Sequence, residues 1–415
     1  MSEMKYSGIE WIGTIPFNWE KRRNKYNFIL SKSLVGANCV NTQLLSLTKN
    51  GVKAINECEQ KGKVPTSFTT YQEVNKNDIV MCLFDLDVSA VFSGISFFKG
   101  MISPAYKCLK CKEDVYPQYV DYYFQTVFVD RKYKRYSKNV RFSIGTDEFM
   151  ALSMVVPPVK KQQQIADYLD SKCFEIDLLH ADIEKQIDVL EQYKKSVIAE
   201  AVTKGLDPNV EMKDSGIEWI GKIPKHWKVR KGKYCLKYLQ KPVREDDDII
   251  TCFRDGEVTL RKNRREEGFT ISLKEIGYQG IDVGDLIVHG MDGFAGSIGI
   301  SDSRGKASPI LNVLGTENNK RYIMYYLRNM AYNGVFLALA TGIRVRTCDT
   351  NWGKLRKLPY ILPSIEEQNA IVNYIDNKFN AVNLIIVEKQ NQLETLEAYK
   401  KSLIYEYVTG KKEIV

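Results

Sequence analysis

Apolar residues return at steps of three and four along 160–204, at Ile176, Leu179, Ile187, Leu190 and Val197. A second stretch, Ile365–Val408, shows the same steps at Val382, Ile385, Leu393, Leu396 and Leu403. Neither stretch holds Pro or Gly, and Gly205 and Gly410 stand where a helix would stop. The spacing predicts two long helices, each spanning roughly 65 Å at 1.5 Å per residue. A stripe so narrow wants a single partner, and the other copy is the obvious one. The pattern therefore predicts an antiparallel coiled coil holding two domains at a fixed spacing. The alternative is a helix folded back on its own domain.

Upstream of each helix the pattern shortens to strand length. Asp78–Leu83 and Asp285–His289 are apolar runs behind polar turns, and Leu152–Val156 and Leu358–Leu362 are runs that end at Pro. Gln118–Val129 and Lys320–Met330 are aromatic segments of helical length. Together these predict an α+β fold, a mixed sheet with a few helices in each half.

The two halves are copies. EMKYSGIEWIGTIPFNW at Glu3–Trp19 returns as EMKDSGIEWIGKIPKHW at Glu211–Trp227, and PPVKKQQQIADYLDSK at Pro157–Lys172 as PSIEEQNAIVNYIDNK at Pro363–Lys378. YKKSVIAEAVTKG at Tyr193–Gly205 answers YKKSLIYEYVTG at Tyr399–Gly410. Between these ends the halves share spacing and few residues. A global duplication predicts two pseudo-symmetric units. Alike frames around unlike inserts predict one scaffold with two specificities. The Ile-Gly-x-Ile-Pro-x-x-Trp arms read as turn-rich segments anchored by Ile and Trp.

Composition narrows the function. The 44% hydrophobic and 27% charged residues are ordinary for a globular protein, and no apolar run reaches membrane-spanning length. The first residues lack the apolar core of an export signal, so a cytoplasmic location is expected. Nine cysteines without paired spacing predict reduced thiols, and Cys108-Leu-Lys-Cys111 reads as two small residues on a strand. His180, His226 and His289 have no Cys or carboxylate at ligand spacing. Glu3-Met-Lys5 has the order of a nuclease triplet but no Pro-Asp before it. The Gly293–Gly299 loop has the wrong order for a cofactor cradle, and no phosphate loop is present. No catalytic residue, metal site or cofactor is expected in this chain.

The net charge of +9 points to phosphates, and basic loops interleaved with aromatics say where. The first half offers Arg131-Lys-Tyr-Lys134-Arg135-Tyr136, then Lys138, Asn139, Arg141 and Ser143; the second offers Arg261, Asn263 and Arg264, then Thr341, Arg344, Arg346 and Thr347. Arg22, Arg23, Arg230 and Lys231 sit beside the arms and could reach backbone phosphates. Lys and Arg neutralise phosphates, the Arg fork fits guanine in the major groove, and Asn pairs with adenine.

The repeated Ser-Gly-x-Glu-Trp-Ile-Gly-x-Ile-Pro-x-x-Trp (Ser7–Trp19, Ser215–Trp227) and the Gln-rich helix openings resemble the specificity subunits of type I restriction–modification systems. The resemblance covers the chain. Lys160-Lys161 replaces the usual acidic pair kept at Glu366-Glu367, and Ser143-Ile-Gly145 is a looser match than Ala340–Arg344 to the DNA-facing loop. It implies a target recognition domain with its arm at 1–158, a spacer helix at 159–206, a second recognition domain at 207–363, and a second helix with tail at 364–415. Each domain would read one half of an asymmetric, gapped duplex target. Two modification subunits would dock on the helices, through Gln163, Tyr193, Lys194 and Lys195 and through Gln368, Tyr399, Lys400 and Lys401. Those partners would use S-adenosylmethionine, and a restriction subunit ATP with Mg2+. The rival readings are a stand-alone methyltransferase or nuclease, and a protein-assembly scaffold.

Overall fold

A computed structural model describes residues 3–49, 51–55, 67–89, 91–129, 131–137, 142–264, 275–339 and 350–414. The chain divides into two compact units, 1–183 with 391–415, and 184–390. The division falls inside both long helices. Each unit thus combines the arm, strands and helix start of one repeat with the helix end of the other.

In unit 1, β1 (Glu20–Arg23), β2 (Phe28–Leu30), β3 (Ile79–Met81), β4 (Ser93–Ile95) and β5 (Lys107–Cys111) precede α1 (Pro117–Val129). Next come β6 (Ser153–Val156) and α2 (Val159–Lys204). Unit 2 repeats the order with β7 (Lys228–Lys231), β8 (Lys237–Tyr238), β9 (Leu286–His289), β10 (Ile298–Ile300), β11 (Leu311–Gly315) and α3 (Lys320–Tyr332). It closes with β12 (Pro359–Leu362) and α4 (Ile365–Val408). The main sheets run β2-β5-β3-β4 and β8-β11-β9-β10, the same topology twice. All named strands pair antiparallel; parallel pairing among the described residues is limited to isolated bridges such as Leu44 with Met101. The mixed sheet expected from sequence is therefore corrected to antiparallel ladders: parallel neighbours need a crossover, usually a helix, and among the described residues no α-helix lies between paired strands of either main sheet.

One face of each sheet is covered by the aromatic helix. Tyr119, Tyr123 and Phe124 of α1 are buried with Phe28, Ile79 and Trp19, and Tyr322 and Tyr326 of α3 with Leu286, Leu314 and Trp227. The far end of the other repeat's helix completes each core. Leu403, Ile404 and Val408 enter unit 1, and Val197, Ile198 and Val202 enter unit 2. Fully burying such a side chain contributes about 1.5–3 kcal/mol. The Tyr119 hydroxyl donates to Val155 O at 3.1 Å and Val408 O at 3.0 Å, closing the unit at that helix end.

The long helices pair antiparallel within each unit. In unit 1 the Tyr168 and Tyr407 rings lie 4.6 Å apart, and Lys400 Nζ is 2.6 Å from Asp177 Oδ1. In unit 2 Lys389 bonds Gln186, and Lys194 Nζ lies 5.3 Å from the Phe379 ring. These contacts make the coiled coil read from the stripe. The seam is shifted from that reading. Cys173, Ile176 and Ile386 are buried, whereas Leu179 is 54% and Ile385 43% exposed. A three-residue step falls short of a full turn of 3.6, so Leu179 and Ile385 rotate out while Ile386 takes the contact.

Candidate nucleic-acid interface

The basic loop of unit 1 begins where α1 stops. Arg131 adopts a left-handed φ of 51° and leads into a tight turn, Lys132–Tyr136. Tyr133 is buried against Phe92, Phe124 and Phe149, and this pins the turn. Arg131 shapes the loop rather than reaching outward: its Nη1 donates to Ser89 O at 2.7 Å and Leu86 O at 3.3 Å, and its guanidinium covers the Phe128 ring at 4.3 Å. Lys134 and Arg135 are exposed, Lys134 over the Phe142 ring at 4.2 Å and Arg135 bonded to Glu10 at 2.6 Å. Ser143 is half-buried. Lys138, Asn139 and Arg141 lie outside the described residues.

This loop lines a cleft of about 1740 Å³ within unit 1, together with Lys400 and Lys401 of α4. Asp121, Asp170, Asp177 and Glu397 line it too, so its charge is mixed. Burial pushes the Asp121 carboxyl up to about 6, against hydrogen bonds from Gln125 and the Ile95 N–H that favour its charged form. Beside the arm, Arg22 on β1 is held by Asp114 at 2.5 Å and Glu20 at 2.9 Å, whereas Arg23 is exposed.

In unit 2 the run at 261–264 is tied to its own hairpin. Arg264 bonds Asp255 at 2.5 Å and Glu257 at 2.9 Å, Asn263 Nδ2 donates to Thr259 Oγ1 at 3.0 Å, and Arg261 Nε to Thr251 Oγ1 at 3.3 Å. The carboxylates that occupy Arg264 come from the preceding turn. Arg230 and Lys231 are exposed along β7. Thr341, Arg344, Arg346 and Thr347 lie outside the described residues. Their segment runs from Leu339 to Thr350, and the Thr350 hydroxyl is fixed on His289 O at 2.7 Å.

Among the described residues no three His, Cys, Asp or Glu side chains are placed to hold a metal ion, and no helix is long and apolar enough to cross a membrane. Cys108 and Cys111 lie on β5, where burial pushes both thiols up to about 12.

No family model matches the chain. Two curated relatives from Methanocaldococcus jannaschii align along most of it. The putative type I restriction enzyme MjaX specificity subunit is 25% identical, over 72% of this chain and 69% of that protein. The type I restriction enzyme MjaVIII specificity subunit is 24% identical, over 81% of this chain and 80% of that protein. The type I restriction enzyme StySPI specificity subunit of Salmonella potsdam is 19% identical over 73% and 67%. A chain from a structural study of assembly and conformational transition of the type I R-M system superposes with a TM-score of 0.68 at 11% identity, over 96% of this chain and 99% of that one. The HsdS subunit from Thermoanaerobacter tengcongensis gives 0.50 at 11% identity, over 96% and 98%. The chain is similar to type I specificity subunits along most of its length.

The expected partner contacts divide. Gln163, Tyr193 and Tyr399 are exposed on the helices. Lys194 is paired with Glu191 at 3.2 Å, and Lys195 lies over the Tyr332 ring at 5.4 Å. Lys400 is paired with Asp177, and Lys401 with Glu397 at 3.7 Å. Gln368 is a correction, because it is fully buried. It accepts from Asn319 N–H at 2.9 Å and donates to Pro363 O and Asn318 Oδ1 at 3.0 Å. Its counterpart in unit 1 is Gln162, which accepts from Tyr116 N–H at 2.8 Å and donates to Pro157 O and Asp114 O. The helix-opening glutamines are thus internal locks between the long helix and the aromatic helix. Their Pro-x-x-x-x-Gln spacing carried that signal, but the adjacent Gln163 obscured which glutamine turns inward.

Sequence reasoning also missed a repeated apolar patch on the helices. Leu178, Leu179 and Tyr399 are exposed in unit 1, and Leu384, Ile385 and Tyr193 in unit 2. These are matching positions of the two repeats, with the roles of the helices exchanged.

Proposed function

We propose that this specificity subunit supplies the DNA address of a type I restriction–modification assembly, each unit reading one half of an asymmetric, gapped duplex target. The observation that carries this reading is the repeated frame with unlike inserts. Both units have one sheet topology, one glutamine lock and one aromatic helix. Their basic segments at 131–143, and at 261–264 and 340–349, differ in length and sequence. Two readers on one scaffold suit two different half-sites, about one helical turn apart. In domain terms the readers are 1–158 and 207–363, and the helices 159–206 and 364–415 set the gap. The basic side chains hold phosphates, while a few of them, Arg344 and Arg346 first, reach base edges.

The repeated apolar patch of Leu178, Leu179 and Tyr399, and of Leu384, Ile385 and Tyr193, supports docking of two copies of one modification subunit. Methylation of adenine with S-adenosylmethionine, and ATP- and Mg2+-dependent cleavage, belong to those partners and to a restriction subunit. The complex would work in the cytoplasm.

Methylation mapping of the host genome, with and without the gene, tests the assignment: one bipartite methylated motif should vanish with the gene. Replacing Arg344 or Arg346 by Ala should cost about 1–3 kcal/mol of discrimination at one half-site and spare the other. Equal loss at both half-sites would defeat the modular reading.

A further inference from the structure

The strand after each arm meets the segment before β6 or β12 in the same way in both units. Gly232 N–H donates to Leu358 O at 2.9 Å, as Asn24 N–H donates to Leu152 O at 2.7 Å. β7 pairs with β12 from Lys231 opposite Pro359, as β1 pairs with β6 from Arg23 opposite Ser153. In unit 2 the Lys233 N–H also donates to Arg356 O at 2.8 Å, which brings the two basic segments into contact.

The charges on these matched faces differ sharply. In unit 2, 228–233 and 354–357 carry seven cations and no carboxylate, whereas 20–25 and 148–151 of unit 1 carry four cations with Glu20 and Glu148. Lys228, Arg230, Lys231, Lys233, Arg356 and Lys357 are all exposed, and none is ion-paired among the described residues. In unit 1 Arg22 is occupied by Glu20 and Asp114, and Met150 and Ala151 stand where unit 2 has Arg356 and Lys357. A Lys–Tyr pair is common to both: Lys25 Nζ lies 4.9 Å from the Tyr26 ring, and Lys233 Nζ 4.6 Å from that of Tyr234. A hydrogen bond from Lys233, with the charges of Lys233 and Lys231, holds the Tyr234 hydroxyl below its ordinary range.

Six like charges on adjoining backbone repel one another, and a polyanion relieves that repulsion. Four residues of β7 cover roughly 13 Å at about 3.3 Å each, enough to face several phosphates of a duplex that carries one charge per strand about every 3.4 Å of helix axis. We propose that this face of unit 2 clamps the phosphate backbone and that unit 1 has no equal to it, so unit 2 supplies the larger share of sequence-independent grip on the duplex. The inference rests on the DNA-reading function given above. It adds Arg356, Lys357 and Lys233 to the contacts expected from sequence.

The test is anisotropy of a fluorescein-labelled random-sequence duplex with the full-length chain over a series of KCl concentrations. Arg356→Ala with Lys357→Ala should flatten the plot of log affinity against log salt by nearly two, since each phosphate contact contributes about 0.9. Affinity at low salt should fall at least tenfold, and the double reversal R356E/K357E should fall further. The pair Arg23→Ala with Lys25→Ala in unit 1 should weaken binding less than its match, Lys231→Ala with Lys233→Ala. All replaced side chains are exposed, and circular dichroism checks that each variant folds. Equal losses from the matched pairs, or an unchanged slope for R356A/K357A in a chain that binds duplex, would overturn the clamp and leave the DNA-reading function standing. An unchanged slope with lost capture of a modification subunit would overturn it in favour of a protein-facing surface. A wild-type chain without salt-sensitive duplex binding would remove both.

Discussion

The two long helices open differently, although both must be fixed to an aromatic helix at the same point. In unit 2, Ser364 Oγ accepts from the Glu367 N–H at 3.2 Å, and Glu366 and Glu367 complement the positive end of the helix. Glu367 then accepts from Trp227 Nε1 and meets His226 Nε2, both at 2.9 Å. In unit 1 the helix opens from Pro157-Pro158 into Lys160 and Lys161, with no acid in its first turn. What both openings share is the glutamine lock and the tyrosines behind it. Tyr122 bonds Asp170 at 2.6 Å, and Tyr325 bonds Asp376 at 2.5 Å. The difference separates what the scaffold requires, a buried amide tying helix to helix, from what one copy adds, a carboxylate gripping the arm.

The largest effect should come from the arm tryptophans. Trp19 and Trp227 are both buried, so replacement by Ala should cost about 3–5 kcal/mol in either unit. Replacement by Phe should divide them. In unit 2 it removes one donor from a half-buried Glu367 that keeps His226, and adds about 1 kcal/mol, whereas unit 1 has Lys161 at that place and no such bond to lose. Denaturant-dependent hydrogen exchange, read separately on β1–β6 and β7–β12, measures this. Equal costs for W19F and W227F would erase the distinction between the openings.

The frame was legible in the sequence because duplication and periodicity are one-dimensional signals. The ends of α2 and α4, the aromatic helices and the strands at 79–81, 153–156, 286–289 and 359–362 fall where the pattern put them. Partner choice for single side chains was less legible, because it depends on folding back. Arg131 looked like a free phosphate contact, yet its neighbours include carbonyls more than forty residues earlier. Arg264 is likewise occupied by groups that folding brings to it, Asp255 and Glu257 across a hairpin. Leu179 and Ile385 fit the helical spacing as well as their buried neighbours do. Only the seam's slow rotation turns them outward, and spacing over five positions cannot resolve that.

A smaller effect sharpens the shared part of the comparison. Gln162→Ala leaves the Tyr116 N–H, and Gln368→Ala the Asn319 N–H, without its acceptor. Each loss should cost about 1–3 kcal/mol. Because both glutamines bond only groups of their own unit, the two costs should agree within a factor of two. Gln→Glu keeps the acceptor but places a charge in a buried site, so it should be worse than Ala in both units. Thermal melts of the four variants check this. A silent Q162A beside a costly Q368A would mean that the lock belongs to unit 2 alone.

The smallest effect concerns a carboxyl that one aromatic helix has and the other lacks. Asp121 of α1 stands where α3 has Met324, and burial raises its carboxyl to about 6. A carboxyl raised on folding binds more protons in the native than in the unfolded state between about pH 4 and 6, so native stability falls as pH rises through that window. Above it the cost is constant, and below it the cost disappears. Asp121 lies on the cleft wall with part of its surface in solvent, which reduces the cost to about 1 kcal/mol. Asp121→Asn removes the titration while its oxygen still accepts from the Ile95 N–H. The variant should melt a few degrees above the parent at pH 7.5, and the gap should close near pH 4.5. Met324→Asp places the same burden in unit 2, where Met324 is buried, and should introduce a pH dependence of the same sign. A parent chain whose exchange in unit 1 is flat from pH 4.5 to 7.5 would show that the cleft wall solvates Asp121 as fully as water does.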